Sequence, residues 1–258
     1  MKRWQRWGTT LAMAGSTLLG SLVVMGSQVL ALTEQQVKEK LQPVPVFTVT
    51  DENGSPLVAN LPAQGNPDER AAVAGVFMSW KAAEAFVEQL KKREPNLGNK
   101  IQVAPVSLAE IYALKQQNQN KPDALNFSYV PVQQQVDHAQ SIWTQQRKSL
   151  PQQRQNNVPE KFQGTPLFIA KAGPQGGYLT IQQDGEQIIP FFFEKEQLQT
   201  LVDRFKQQNP NQASSVQIQV LPLEGVIRTL ATQNNPELER ILLVPSRESL
   251  EFLDSLKK

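Results

Sequence analysis

Few residue types capable of catalysis occur in this chain. His138 is the only histidine, and there is no cysteine. A Ser-His-Asp arrangement or a histidine metal site would therefore rest on one residue, and a thiol nucleophile is excluded. The glycines of segment 173–177 lie between two predicted strands, where a hairpin turn explains them better than a phosphate-binding loop does. We expect no cofactor and no metal ion.

Carboxylates offer the remaining route to chemistry. Glu194 and Glu196, or Asp203 with a distant partner, could act as a pair in acid–base catalysis. Glu194 opens a predicted helix, however, where the helix dipole favours an acid. Ser79, at the equivalent position of the repeat described below, is also a good N-cap. We therefore interpret both as helix caps and expect a protein that is not an enzyme, with a carboxylate-based hydrolase or isomerase as the minor alternative.

The elements that would position any site come in two copies. The first half contains, in order, the segments VPVF, VFMS, VAPV and VPV. The corresponding segments of the second half are TPLF, FFFE, VLPL and VPS. Equivalent positions lie 114 to 121 residues apart. An internal repeat of this kind predicts two copies of one structural unit.

Each copy predicts a strand, a β-hairpin, a helix, a strand, a short helix, a strand and a closing helix. The clearest hairpin has strands at residues 178–182 and 187–193 joined by Asp184-Gly185. The helix that follows the hairpin carries an apolar stripe with helical spacing in both copies: Leu198, Leu201, Val202 and Phe205, matched by Ala83, Phe86, Val87 and Leu90. We predict an α/β class with mixed α+β sheets, in which two tandem hairpin-containing units form two lobes.

Further boundaries follow from proline and from polar stretches. Strands at 100–104 and 215–221 are each predicted to end at a proline that opens a short helix. Segment 60–66 is interpreted as an extra loop of the first copy, and segment 145–163 as a polar linker or helix extension. The closing helices are expected to bury their apolar residues, which are Val136, Ala139 and Ile142, then Leu250, Leu253 and Leu256. The predicted lobes are residues 32–144 and 164–258.

The first 31 residues predict an export signal. Lys2, Arg3 and Arg6 precede a long apolar stretch without acids, which ends at Ala31 with the small residue that a signal peptidase requires. We predict cleavage after Ala31, and a retained membrane anchor is the alternative. Removing three of the 26 basic residues leaves 23 Lys and Arg against 24 Asp and Glu. This near-neutral mature chain indicates no nucleic-acid partner.

Two apolar triplets stand out at equivalent positions. They are Val76, Phe77 and Met78, then Phe191, Phe192 and Phe193. Successive side chains of a strand point to opposite faces, so both faces of these strands must be apolar. The triplets are interpreted either as central strands buried between helices or as one wall of a groove for apolar client segments. These six residues are the candidate client-binding site.

The repeated motifs, with PLFIAK at 166–171, IPFFF at 189–193 and VLPL at 220–223, resemble the Tic twenty-two family of the chloroplast inner-envelope translocon. The resemblance covers the chain from Leu32 onward, and the export signal suggests a cyanobacterial member. It implies a two-lobed α/β chaperone in the periplasm or the thylakoid lumen. The implied partners are unfolded polypeptides, including outer-membrane barrel precursors or their assembly machinery.

We therefore expect an exported, non-enzymatic chaperone or translocation factor that holds clients through apolar pockets, without a stable membrane anchor after cleavage. A small-molecule carrier, with its site in the cleft between the two lobes, is the alternative.

Overall fold

The computed structural model describes residues 11–13, 31–63, 66–118, 121, 124–172 and 176–256. Most of the predicted export signal and residues 173–175 of the predicted turn lie outside the described residues. Within the part of the chain that is described, no helix has the length and apolar character needed to cross a membrane.

The described strands are β1 Leu11–Met13, β2 Pro45–Asp51, β3 Val58–Ala63, β4 Asn66–Phe77, β5 Ile101–Ser107, β6 Asn126–Val130, β7 Pro166–Ala172, β8 Gly177–Gln183, β9 Glu186–Phe192, β10 Gln217–Pro222 and β11 Ile241–Val244. The described helices are α1 Glu34–Leu41, α2 Trp80–Arg93, α3 Pro95–Gly98, α4 Leu108–Asn118, α5 Gln133–Lys148, α6 Gln152–Gln155, α7 Lys195–Gln208, α8 Leu223–Thr232 and α9 Arg247–Ser255, with 3-10 turns at Pro210–Ser215 and Pro236–Arg240.

Two mixed sheets organise these elements. The first sheet has the order β3-β4-β2-β5, and β6 also pairs with β4. The second has the order β1-β8-β7-β9-β11, and β10 also pairs with β7. In both sheets the strand before the closing helix is parallel to its neighbour, β6 to β4 and β11 to β9, whereas the other pairings are antiparallel. The predicted mixed α/β class is confirmed, and the arrangement of two tandem lobes stays a prediction.

The chain divides into two compact units that do not follow the predicted limits. The first-sheet unit contains residues 38–134 and 245–258, and the second-sheet unit contains residues 1–37 and 135–244. Each unit therefore contains the closing helix of the other sequence copy. Helix α9 belongs to the first-sheet unit, and nearly all of α5 belongs to the second-sheet unit. The limit predicted at residue 144 falls inside α5. The lobe limits drawn from the repeat stay a prediction.

The core of the first-sheet unit lies under α2 and α9. Its buried members are Phe47, Val49, Phe77, Ala83, Val87 and Ile101, and Trp80 and Phe252 pack against them. Phe47 lies opposite Phe77 in the sheet, so the two rings share one face. Phe252 brings α9 onto this face, with its ring edge-on to Phe47 at a centroid distance of 5.4 Å.

The core of the second-sheet unit repeats this plan. Phe168 lies opposite Phe192, as Phe47 lies opposite Phe77. The predicted stripe of α7 is buried against these rings at all four positions, together with Ala139 of α5. The predicted stripe is therefore confirmed for this unit.

Other predictions are confirmed or corrected by the described backbone. The hairpin turn is confirmed, since Asp184 and Gly185 both have positive φ, 52° and 86°. The extra loop expected at 60–66 is wrong, because β3 and β4 extend to Ala63 and from Asn66 as one long hairpin. The first of the two strand-ending prolines is also misplaced: Pro105 lies inside β5, opposite Phe47. Proline is tolerated there because β5 is an edge strand.

The closing helices bury positions other than the predicted stripe. Ala139 is buried as predicted, but Leu256 is 59% exposed, and Gln135 and Ser249 are buried instead. These two polar residues lie at equivalent positions of the repeat. Gln135 accepts a hydrogen bond from the Lys195 backbone N–H, and Ser249 donates to the Met78 carbonyl. Polar contacts with the neighbouring helix start therefore take a buried position on each closing helix, and most of the apolar stripe is only partly buried.

Candidate functional site

The six candidate residues of the two triplets are all buried. None of these side chains is more than 7% exposed. Phe77 and Phe192 point into the cores described above, and their strand neighbours point to the opposite face. This burial matches the interpretation of the triplets as central strands. A client would have to contact what covers them, so their role as a client-binding site stays a prediction.

An accessible apolar surface extends beyond Phe77 along the same face of the first sheet. We call it the hairpin face; it consists of Leu57, Ala59, Leu61, Ala71, Val73, Gly75 and Phe86. Ala59 lies opposite Val73 and Leu61 opposite Ala71. Paired residues put their side chains on one face, and residues two apart in β4 share that face with Phe77. The face is thus fixed by the register of the long hairpin.

Phe86 closes one end of the hairpin face. Its ring lies 5.4 Å from that of Phe77, yet its side chain is 39% exposed. The Phe77 ring lies back over Gly75, where an added Cβ would stand 3.2 Å from Phe77 Cε2. Glycine at this position therefore leaves room for the Phe77 ring to lie against the strand.

The other end of the hairpin face is open, since Leu61 is 48% exposed and Ala59 is exposed beside it. From Ala71 to Phe77 the face is about 20 Å long, at about 3.4 Å for each strand residue. On the other side of β4, Asn126 and Ser128 of β6 share the face and are exposed. The result is an uncharged apolar strip with a polar rim.

The equivalent surface of the second-sheet unit is filled. Leu201 is the counterpart of Phe86 in the repeat and is only 9% exposed. Leu179 and Ile181 of β8 are buried in the same core, together with Phe162 from the segment predicted to be a linker. The Phe162 ring lies edge-on to Trp143, and its backbone N–H donates to Gln140 Oε1. The two units therefore share a plan but expose different amounts of apolar surface.

The polar residues considered for catalysis contact helix ends. His138 Nε2 lies 2.9 Å from Glu196 Oε1, and Gln135 Nε2 donates to Glu196 Oε2 at 2.8 Å. Burial raises the pKa of the Glu196 carboxyl, but the hydrogen bonds from Gln135, its own backbone N–H and His138 outweigh burial and hold the pKa below its usual value. A carboxylate stabilised in its charged form joins α5 to α7 and is a poor general base.

The capping interpretation is confirmed for Ser79 and corrected for Glu194. Ser79 Oγ accepts from the Ala82 backbone N–H at 3.2 Å. Glu194 holds the N-cap position of α7, but its carboxylate makes no capping hydrogen bond and accepts from the Gln197 side chain instead. Gln135 takes over the role by accepting from the Lys195 N–H at 2.9 Å.

The first-sheet unit has the matching arrangement. Glu248 of α9 accepts from Ser79 Oγ at 2.9 Å and from the Lys81 backbone N–H at 2.9 Å. A carboxylate at the start of α2 also suits the helix dipole. In both units, therefore, a closing helix supplies the acceptor that the neighbouring helix start needs.

Sequence reasoning missed most of the hairpin face. Apolar residues at 57, 59 and 61 and at 71, 73 and 75 have the spacing of one strand face, but Val58, Ala72 and Ala74 between them are apolar too, so the alternation that marks a one-sided strand is incomplete. Prolines 62 and 67 hid that signal and favoured a loop. Among the described residues, no cluster of His, Cys, Asp and Glu could hold a metal ion.

Comparison with known proteins assigns the chain to a family. It matches the Tic22-like family over residues 8–254. Among solved structures it is similar to Anabaena Tic22, described as a protein-transport protein, with 32% identity, a TM-score of 0.73 and coverage of 88% of this chain and 99% of that one. Tic22 from Plasmodium falciparum has the same fold, with 23% identity, a TM-score of 0.61 and coverage of 86% and 97%.

Plant proteins show the same relationship. Protein TIC 22, chloroplastic, of Arabidopsis thaliana is 22% identical over 225 residues, which cover 87% of this chain and 72% of that protein. The Pisum sativum protein of the same name is 21% identical over 215 residues, which cover 83% and 74%. Since the family match spans nearly the whole chain and a solved member aligns with the fold described above, this protein belongs to the Tic22-like family.

Proposed function

We propose that this protein is an exported, non-enzymatic chaperone or translocation factor that binds extended apolar segments of unfolded polypeptides on the hairpin face. Membership of a family whose Anabaena member is a protein-transport protein supports the general role. The observation that carries the finer assignment is the exposed strip from Leu61 to Phe86, which lies beside an otherwise complete core.

The dimensions of the hairpin face suit an extended peptide. A strip of about 20 Å accommodates roughly six residues of extended chain, and it carries no charge that would select a charged ligand. Each Å² of apolar surface removed from water contributes about 25 cal/mol, so partial burial of a few client side chains gives weak and sequence-tolerant binding. Such binding fits a protein that must hold and release many clients.

The contrast between the units supports a binding role for the exposed residues. Phe86 is a larger side chain than its counterpart Leu201, yet it is far more exposed. If stability alone had determined these two residues, the larger side chain, Phe86, would be the more buried one. Large exposed apolar patches are rare on monomeric proteins, and those with a polar rim usually mark a site where a partner binds.

We place the protein in the periplasm or the thylakoid lumen after cleavage behind Ala31, with outer-membrane barrel precursors or their assembly machinery among its partners. A non-enzymatic role agrees with the lowered pKa of the Glu196 carboxyl, since a carboxylate recruited for acid catalysis would need a raised pKa.

The proposal is tested by client binding to the mature chain, residues 32–258. Leu61→Ser and Phe86→Ser, combined, should weaken suppression of the aggregation of a denatured client protein by about tenfold, because each removes an exposed contact at one end of the strip. Leu114→Ser is the matched control, since Leu114 is an exposed leucine on α4. Circular dichroism should show all variants folded. Equal activity of the double variant and the wild type would overturn the proposal.

The buried triplets cannot serve in that test. Phe77→Ser or Phe192→Ser would remove a core side chain, at a cost of about 3–5 kcal/mol, and would unfold the protein rather than report on binding. A photocrosslinking side chain in place of Phe86 is the better probe in the native host. Capture of outer-membrane barrel precursors would support the proposed partner class.

A further inference from the structure

The outer edge of β8 is already paired with a strand from the N-terminal leader. Leu11 lies opposite Ile181, Ala12 opposite Thr180 and Met13 opposite Leu179, in antiparallel register. On its other side, the end of β8 pairs with β9, where Ile181 lies opposite Ile188. The leader segment therefore extends the second sheet by one strand.

The hairpin turn determines which backbone groups of β8 face that edge. Asp184 and Gly185 form a two-residue turn, so Gln183 and Glu186, which flank it, exchange hydrogen bonds. Pairs alternate along an antiparallel ladder, so Ile181 also bonds to β9, and the N–H and C=O of Thr180 point the other way. Thr180 thus offers both backbone groups to the strand on the outer edge, which here is Ala12.

β8 lacks the features that normally protect an edge strand. Its sequence, GYLTIQQ, contains no proline and no charged residue. The equivalent edge strand β3 carries Pro62 and follows Pro56. Exposed strand edges are usually blunted by proline, charge or a covering segment, because they otherwise pair with another chain. In β8 the covering segment is the leader strand itself, which the predicted cleavage after Ala31 removes.

We propose that in the mature protein this edge binds, by antiparallel strand addition, an extended polypeptide segment with apolar residues at every second position. The leader strand β1 occupies the place of that segment in the precursor. The inference rests on the proposed function only for the class of partner, because the edge and the hairpin face belong to different units and share no residue.

The chemistry of the edge selects this partner. Leu179, Thr180 and Ile181 are buried in the chain that carries the leader strand. The added strand is held by backbone hydrogen bonds, which any extended sequence can make. Leu179 and Ile181 belong to an apolar core, so incoming residues that pair with them are favoured when they are apolar. Strands of outer-membrane barrels alternate apolar and polar residues in this way, so unfolded barrel precursors are the partner class that fits.

Binding of a labelled peptide to the mature chain, residues 32–258, tests the proposal. The probe is GTTLAMAGS, residues 8–16 of the leader, and fluorescence anisotropy measures its dissociation constant. The same peptide with an N-methyl group on the backbone nitrogen of the residue that corresponds to Ala12 lacks the N–H that would donate to the Thr180 carbonyl oxygen. We expect saturable binding of the first peptide and at least tenfold weaker binding of the second. Equal binding of both, or of neither, would overturn the proposal.

Protein variants give an independent arm. Thr180→Pro removes the outward N–H and should weaken peptide binding at least tenfold, whereas Thr180→Val keeps both backbone groups and should stay within about threefold of the wild type. If Thr180→Pro does not fold, the N-methyl peptide alone decides.

The variant Leu61→Ser with Phe86→Ser separates this inference from the proposed function. It should leave peptide binding at the β8 edge unchanged. If the wild type does not bind the leader peptide but the double variant loses client holding, the edge alone is refuted. If the wild type binds the peptide but the double variant holds clients as well as the wild type does, the hairpin face alone is refuted.

Discussion

The ring of Phe252 stacks on the indole of Trp80, with centroids 4.0 Å apart and an interplanar angle of 15°. Trp80 begins α2 in the first sequence copy, and Phe252 lies in the closing helix of the second. Both belong to the first-sheet unit. The contact therefore ties α9, near the end of the chain, to a unit whose sheet is formed by residues of the first half. That unit depends on the last helix of the second copy.

This dependence predicts a large effect of Phe252→Ala. The substitution removes the stack on Trp80 and the edge contact with Phe47, and should lower the free energy of unfolding by about 2–4 kcal/mol. Urea denaturation measures the change. Leu256→Ala, in the turn after the same helix, is the control and should stay within about 0.5 kcal/mol of the wild type because Leu256 is exposed. Similar values for the two variants would contradict this account of α9.

The carboxylate of Glu248 is predicted to stabilise the start of α2. Glu248→Ala removes the acceptor for Ser79 Oγ and the Lys81 N–H, so stability should fall by about 1 kcal/mol. Hydrogen exchange should be faster at the Lys81 amide in particular. Glu251→Ala, an exposed acid of the same helix, is the matched control, and a change in Lys81 exchange in that variant would argue for a general charge effect instead.

The Glu196 carboxyl predicts a pH dependence of stability with a definite sign. Its folded pKa lies below the unfolded value, so its contribution is complete above the unfolded pKa and is lost as pH falls through the folded pKa. The difference in unfolding free energy between wild type and Glu196→Gln should be constant above about pH 5 and shrink at lower pH. Denaturant unfolding from pH 7 to pH 3 measures it. A difference that stays constant down to pH 3 would contradict this account of Glu196.

Equivalent substitutions in the two units are predicted to lower stability by different amounts. Leu201→Ala removes a buried side chain and should cost about 2–4 kcal/mol. Phe86→Ala, at the counterpart position, should cost less, about 1 kcal/mol, because the ring is partly exposed and loses mainly its contact with Phe77. Thermal unfolding of both variants checks the order, and a larger loss for Phe86→Ala would show that the hairpin face is part of the core.

Local structure was predictable where a pattern is repeated within a few residues. The turn at Asp184-Gly185 and the stripe from Leu198 to Phe205 were predicted correctly because turn type and helical period depend on neighbours in sequence. The length of the β3–β4 hairpin was not, because Pro62 and Pro67 are typical of loops, whereas the structure places both in strands and pairs Pro62 with Arg70.

The sequence alone determined the order of elements, the burial of the apolar triplets as one of two interpretations, and the family. Only the tertiary structure decided which helix closes which unit, because the partners of Gln135 and Glu248 lie far away along the chain. It alone left Phe86 exposed where Leu201 is covered. Equivalent sequences can differ in this way because the exposure of a side chain depends on which distant segment packs over it, and local pattern does not encode that choice.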